Sequence, residues 1–150
     1  MPRIELSTTI AAPAERCFDL SRDVDVHLSS MEYHRERVIS GVESGPMELG
    51  DTVTWEAQHL SWRWRMTSKI TEYERPRRFV DEQQKGPFAR FHHEHRFEPQ
   101  DDGTLMFDVV DYEAPLGAVG ELVTRLILDR YLRRVLGGRN EHIKKVAETA

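Results

Sequence analysis

The chain has 150 residues, and its 26 acidic residues against 21 lysines and arginines leave a formal net charge of −5. A chain of this length fits one domain and can bury a core without disulfide bonds. Its three Trp, six Phe and four Tyr are too many for a disordered polypeptide. The acidic balance excludes the basic surface typical of proteins that bind nucleic acids, so no nucleic-acid partner is expected.

The sequence carries no sign of a membrane anchor or of an oxidising compartment. No stretch approaches the roughly 20 apolar residues that a membrane span requires. The first residues, from Met1 to Leu6, do not form the apolar segment of a signal peptide. Cys17 is the only cysteine, so no intrachain disulfide bond can form. We therefore expect a cytoplasmic protein without a membrane span.

The N-terminal third predicts a strand followed by short helices. Apolar or β-branched residues alternate with polar ones from Arg3 to Ile10, which is the period of a half-buried strand. Pro13 suits the first turn of a helix, and we predict a helix over residues 13–21. A weaker helical turn is expected over residues 24–30, and a second strand near residues 35–40.

The middle of the chain predicts hairpins. Alternation continues from Asp51 to Glu113, interrupted by turns that are rich in Gly and Pro. One strand is especially regular, because Trp62, Trp64 and Met66 alternate with charged or hydroxyl-bearing residues. The predicted strands of this segment cover residues 53–59, 62–71, 79–84, 90–98 and 104–113.

After Pro115 the hydrophobic period becomes helical and remains so to the end of the chain. We predict one long helix with a local bend. Its first apolar stripe, which we expect to close over the sheet, comprises Val119, Leu122, Val123, Leu126 and Ile127. A second stripe lies on nearly the opposite side and comprises Leu132, Val135, Leu136, Ile143 and Val146.

The order of elements predicts an α+β fold in which a curved antiparallel sheet of seven strands wraps around the long C-terminal helix. One helix cannot fill a sheet that presents Trp, Met and Phe on its concave side. A pocket for a mostly apolar small molecule is therefore expected between sheet and helix.

Several segments resemble the helix-grip superfamily, which includes START domains, the major birch-pollen allergen and aromatic polyketide cyclases. Residues 10–18 are similar to its strand-to-helix signature. Residues 78–83, 86–88, 93–97, 103–108 and 112–117 resemble a bacterial subgroup of ligand-binding or cyclase/dehydrase-like proteins. The resemblance covers nearly the whole chain. It implies the helix-grip fold, with two short helices beside the sheet, and a cavity for a hydrophobic ligand.

Alternation places a row of polar residues inside the predicted cavity. In the strand over residues 90–98, the odd-numbered residues Phe91, His93, His95 and Phe97 point inward, because the others are all polar. Asp81 and Gln83 share the inward face of their strand with Phe79. The resemblance favours Met106, Asp108, Val110 and Tyr112 as inward residues. Leu105, Phe107 and Val109 would then form an outer apolar strip, a candidate homodimer contact.

The inward polar residues allow three interpretations. They can satisfy one another as a polar floor, they can orient a polar group of the ligand, or they can exchange protons with it. For proton transfer we name His93, Asp81 and Asp108 as candidate catalytic residues, since both hairpins are predicted to set a carboxylate opposite His93. The candidate ligand-binding residues are Trp55, Trp64, Met66, Gln83, Phe91, His95, Met106, Tyr112, Val119, Leu122, Val123 and Leu126.

We predict neither a metal nor a cofactor. Any two histidines two positions apart on a strand share a face, so the pair His93 and His95 is weak support for a metal site. Glycine-rich phosphate loops and a nucleophile elbow are missing from the sequence. His59, at a predicted hairpin end, is expected to be exposed.

Three functions remain open from the sequence. The first is a carrier or sensor of a hydrophobic or aromatic small molecule. The second is a cofactor-free cyclase, dehydratase or isomerase, a lyase or isomerase by class, that acts on a polyketide-like or related substrate with acid–base residues in the same cavity. The third is an interaction protein with a vestigial pocket, which a cavity well below about 300 Å³ would favour.

Overall fold

The described residues of the computed structural model are 2–59, 62–114 and 121–149, and in the last range side chains are described from Arg125 onward. The strands are β1 (Arg3–Ile10), β2 (Arg37–Gly41), β3 (Thr52–His59), β4 (Trp62–Glu74), β5 (Arg78–Lys85), β6 (Arg90–Gln100) and β7 (Gly103–Glu113). The α-helices are α1 (Ala14–Ser21), α2 (Val24–Ser30) and α3 (Glu121–Glu148), and a 3₁₀ turn covers Glu32–His34.

The strands form one antiparallel sheet in the order β1-β7-β6-β5-β4-β3-β2. The sheet is curved, and α3 packs against β1, α1 and α2. This is the α+β helix-grip arrangement that the sequence predicts. Among the described residues, no helix has both the length and the apolar character needed to cross a membrane.

Each of the two short helices is preceded by a residue that suits a helix N-terminus. Pro13, whose φ of −63° is already helical, directly precedes α1. The carboxylate of Asp23 accepts a hydrogen bond of 3.0 Å from the backbone of Val26 and so caps α2. Arg16 of α1 donates to the carbonyls of Val146 and Ala147, at 3.0 and 2.8 Å, near the end of α3. This contact satisfies carbonyls that a helix terminus leaves without a partner.

Phe18 anchors α1 on the concave face of the sheet. Its ring lies edge-on to Phe79, Phe97 and Tyr73 with centroid distances of 5.2 to 5.4 Å. The side chain is fully buried within a core cluster that also includes Ile143 of α3. The closed, well-packed core therefore lies between α1, the sheet and the C-terminal half of α3.

The predicted inward orientation of Leu126 and Ile127 in α3 is wrong. Leu126 and Ile127 are 60% and 56% exposed, whereas Leu128 and Leu136 are 6% exposed. The buried face of α3 runs from Leu128 through Leu136 of the second stripe to Ile143. These residues recur at the helical period along the part of α3 that packs in the core. Val119 and the side chains of Leu122 and Val123 lie outside the described residues.

The registers of the two central hairpins decide which polar residues meet. Between β5 and β6 the predicted register is confirmed, with Asp81 opposite His93 and Phe79 opposite His95. Between β6 and β7 the prediction is wrong by two residues, because His93 lies opposite Val110 and Asp108 opposite His95.

The reason for this shift is the length of the turn between β6 and β7. Both strands run on to the pair Gln100–Gly103, which leaves a two-residue turn at positions 101 and 102. A Cβ at position 103 would approach the carbonyl oxygen of Ile10 to 2.1 Å. Gly103 is therefore needed where this hairpin passes the end of β1.

Candidate functional site

A cavity of about 180 Å³ lies between the concave face of the sheet and α3. This volume is below the roughly 300 Å³ at the lower end of ordinary ligand sites and, taken alone, favours the alternative of a vestigial pocket. It exceeds the roughly 150 Å³ of an engineered apolar cavity that holds benzene. Its apolar wall is formed from both layers and includes Trp64, Met66, Phe91, Leu132, Val135 and Leu136.

Two histidine–carboxylate pairs form the polar floor of this cavity. His93 donates from Nε2 to Asp108 Oδ1 at 2.7 Å, and His95 donates from Nε2 to Asp81 Oδ2 at 2.6 Å. Each histidine thus binds the carboxylate diagonal to it rather than the residue directly opposite. The two imidazole rings stack at a centroid distance of 3.7 Å, and Phe79 stacks on His95 at 4.1 Å.

The long helix completes the floor. Asn140 donates from Nδ2 to Asp108 Oδ2 at 2.6 Å, and a guanidinium nitrogen of Arg139 lies 3.5 Å from Asp108 Oδ1. Arg139 also donates to Asn140 Oδ1 and to the carbonyl of Ser21, at 2.9 and 3.2 Å. Arg139, 4% exposed, lines the cavity, whereas Asp108 at 1% lies behind its wall. A buried cation therefore faces the cavity beside carboxylates.

Burial and hydrogen bonding act in opposite directions on the pKa values of this floor. Burial acts to raise the pKa of Asp81, but the hydrogen bond from His95 and the nearby charges outweigh it, leaving a pKa of about 2. The same balance, with the hydrogen bond coming from His93, lowers the pKa of Asp108. Burial lowers the pKa of His95 to about 4. At neutral pH the pair is therefore an Asp81 carboxylate that accepts from a neutral imidazole.

In this state His95 carries its proton on Nε2. Its Nδ1 atom is buried and has no hydrogen-bond partner in the described part of the chain. That nitrogen lies 3.5 Å from Asp108 Oδ1. The neutral ring thus keeps an unused lone pair on a buried nitrogen beside a carboxylate.

The structure brings together only part of the predicted site. Asp81, His93, His95, Trp55, Trp64, Met66 and Phe91 all line the cavity, as the sequence predicts. Met106 and Tyr112 are fully buried in the core instead. Gln83 is held by hydrogen bonds with the backbone of Phe88. Leu126, predicted to face the ligand, is exposed on the surface.

Sequence reasoning missed the contribution of α3 to the floor. Arg139 and Asn140 occupy the positions between Leu136 and Ile143 where the helical period calls for apolar residues. Polar residues that interrupt an otherwise apolar stripe were the sequence signal that could have identified this contribution of α3. His59 was also misplaced, because it lines the cavity rather than facing solvent.

Asp81, His93 and His95 could in principle hold a metal ion. One ligand atom from each lies within 4.8 Å of the others. However, both histidines use Nε2 to donate to a carboxylate. A histidine can still bind a metal through its other ring nitrogen, Nδ1, while it donates to a carboxylate. The guanidinium of Arg139 lines the same cavity and would repel a metal cation, so the site fits a proton network better than a metal centre.

The chain belongs to the family described as polyketide cyclase/dehydrase and lipid transport, whose sequence profile matches residues 1–148, and thus to the helix-grip superfamily. No curated protein sequence matches the chain. The assignment therefore defines a class of protein and its fold, but no individual activity.

Solved structures share this fold at low sequence identity. The ZhuI aromatase/cyclase from Streptomyces sp. R1128 is 17% identical, with a TM-score of 0.78 over 98% of this chain and 93% of that one. The protein TTHA0849 from Thermus thermophilus is 20% identical, with a TM-score of 0.75 over 99% of this chain and 100% of that one. The major latex-like protein 151 from Panax ginseng is 13% identical, with a TM-score of 0.69 over 97% of both chains.

Proposed function

We propose that this protein is a cytoplasmic carrier or sensor that binds a mostly apolar small molecule, of one or two fused rings, in the cavity between the sheet and α3. The observation that carries the proposal is the combination of an apolar wall with a buried polar floor in one cavity. Such a combination of apolar area and a few convergent polar groups is typical of ligand sites. The family, whose description includes lipid transport, supports the same function.

The cavity volume limits the size of the ligand. A cavity of about 180 Å³, somewhat larger than the roughly 150 Å³ one that binds benzene, limits the ligand to one or two rings, so a long lipid or a large multi-ring compound does not fit the described cavity. Trp64, Met66 and Phe91 offer flat or adaptable surfaces for an aromatic ring. His93 and His95 would meet a polar substituent of that ring at the floor.

Two measurements test the proposal. Native mass spectrometry of freshly purified protein should reveal a bound small aromatic or apolar compound. Ring compounds should also quench tryptophan emission, and Trp64→Ala should weaken their binding about tenfold or more, since a large apolar contact is lost. Trp62→Ala is the matched control, because Trp62 lies two residues away on β4 and is 71% exposed. Absence of binding across a broad panel of ring compounds would argue against the proposal.

A second candidate function is cofactor-free acid–base catalysis, such as the cyclisation or dehydration of a carbonyl compound. The two histidine–carboxylate pairs at the cavity floor favour it. In a dehydration, one group removes a proton from the carbon next to the carbonyl, and a second protonates the departing hydroxyl group as water. His93 and His95 are the candidates for these two roles, because both line the cavity.

Turnover separates an enzyme from a carrier. A compound identified by mass spectrometry should lose the mass of water on prolonged incubation if the protein is a dehydratase. His93→Ala should then abolish turnover while leaving part of the binding. If the compound is unchanged after incubation, the result supports a carrier or sensor. If no ring compound binds, the result supports the third hypothesis, an interaction protein.

A further inference from the structure

A second polar cluster lies along the same cavity, away from the floor. We call it the outer cluster, and it consists of His59 from β3, His34 from the 3₁₀ turn and Tyr131 from α3. A hydrogen bond of 2.8 Å joins His59 Nδ1 to the Tyr131 hydroxyl, and His34 Nδ1 lies 3.4 Å from the same hydroxyl. The rings of His34 and His59 are 4.5 Å apart. His59 and Tyr131 line the cavity.

The outer cluster and the floor lie at two ends of one apolar space. Tyr131 and Arg139 are eight residues apart on α3, which corresponds to about 12 Å along the helix axis at roughly 1.5 Å per residue. Between them, Leu132, Val135 and Leu136 present apolar side chains to the same cavity. A ligand that fills the cavity therefore meets hydrogen-bonding groups at both ends and carbon in the middle.

The charges at the two ends favour an uncharged ligand. The floor holds the carboxylates of Asp81 and Asp108 beside the guanidinium of Arg139. A ligand carboxylate or phosphate would add another negative charge to a buried site. At the outer end, burial lowers the pKa of His59, so this ring is neutral at neutral pH. A hydroxyl or carbonyl group suits both ends.

We propose that the outer cluster is a second ligand subsite, and that the ligand is an uncharged molecule of one or two fused rings with a hydroxyl or carbonyl group at each end. One polar group contacts His59 and Tyr131, and the other contacts the floor formed by His93, His95 and Asp81. The inference rests on the proposed function and adds to it the chemical class of the ligand.

Four naphthalene compounds test the proposal, with dissociation constants measured by tryptophan quenching and calorimetry. 2,6-Dihydroxynaphthalene has an uncharged polar group at each end, 2-naphthol has one, and naphthalene has none. 6-Hydroxy-2-naphthoate replaces one end with an anion. Each well-placed hydrogen bond should improve affinity by about tenfold at most. We expect the order dihydroxynaphthalene, naphthol, naphthalene, with the naphthoate weaker than the dihydroxy compound.

Variants of the outer cluster locate the second contact. Tyr131→Phe and His59→Phe keep the ring volume and remove the polar atoms. Each should weaken dihydroxynaphthalene binding several-fold and leave naphthalene binding unchanged. Tyr33→Phe is the control for loss of a tyrosine hydroxyl, because Tyr33 is 92% exposed. Circular dichroism and thermal melting confirm that each variant is folded.

The outcomes separate the two proposals. If naphthalene and the dihydroxy compound bind equally, or if neither outer-cluster variant changes the affinity of the dihydroxy compound, the second subsite is wrong while the carrier function stands. If the naphthoate binds most tightly, the requirement for an uncharged ligand is wrong. If none of the four compounds binds, both the subsite and the proposed function fail.

Discussion

Asn140 of α3 donates a hydrogen bond of 2.6 Å to Asp108 at the centre of β7, and both side chains are buried. The other oxygen of the Asp108 carboxylate accepts a hydrogen bond from His93 of the neighbouring strand β6. Asp108 therefore joins the helix, the sheet and the cavity floor in one hydrogen-bonded group. This arrangement holds α3 over the polar end of the cavity.

Removal of the Asn140 amide should destabilise the fold. In Asn140→Ala the buried carboxylate of Asp108 loses one of its donors, which should cost about 1–3 kcal/mol of unfolding free energy. Urea denaturation measures this loss. Arg134→Ala, an exposed position on the same helix, should change the unfolding free energy by less than about 0.5 kcal/mol. Equal effects of the two substitutions would contradict the role assigned to Asn140.

The burial pattern of α3 predicts opposite results for two leucines. Leu136→Ala should cost about 2–5 kcal/mol, because Leu136 is 6% exposed and lies against the cavity. Leu126→Ala should cost less than about 0.5 kcal/mol, because Leu126 is 60% exposed. Chemical denaturation of both variants measures the loss of unfolding free energy. A larger loss for Leu126→Ala than for Leu136→Ala would contradict the assignment of the buried face of α3.

Acid should destabilise the protein in two steps. The pKa of His95 is lowered to about 4 from an ordinary value near 6.5, so the unfolded chain binds the extra proton first as the pH falls. Unfolding free energy should decline by up to about 3 kcal/mol between pH 7 and pH 4 from this residue. Below pH 4 the lowered pKa values of Asp81 and Asp108 should add a second decline.

A variant at position 95 isolates the first step. His95→Gln cannot titrate, so its unfolding free energy should depend less on pH between 4 and 7 than that of the wild type. Urea denaturation at several pH values provides the comparison. If the pH dependence in this interval is the same in both proteins, His95 is not the neutral buried imidazole described above.

Removal of metal ions should change neither stability nor ligand affinity. The guanidinium of Arg139 lines the cavity with His93 and His95 and lies 3.5 Å from Asp108, so a metal cation would meet a like charge there. Prolonged treatment with a chelator followed by thermal melting and a ring-compound titration tests this expectation. Stoichiometric zinc or iron in the purified protein, lost in His93→Ala or His95→Ala, would overturn it.

The sequence by itself determined the order of elements and most of the cavity wall. Period-two alternation placed Trp64, Met66, Phe91, His93 and His95 on the concave face, because a strand has only two faces and the other one is polar in this chain. The register between β5 and β6 followed from the short loop between the predicted strands 79–84 and 90–98, together with the rule that facing residues share a face of the sheet.

Only the tertiary structure decided which residues meet at the floor. A shift of two residues keeps every side chain on its face. Alternation therefore could not distinguish the observed register, with Asp108 opposite His95, from the predicted one, with Asp108 opposite His93. The choice between the two stripes of α3, and the arrival of Arg139 and Asn140 at Asp108, depend on how the helix is rotated against the sheet. That rotation arises from contacts between residues far apart in the chain, which local periodicity does not encode.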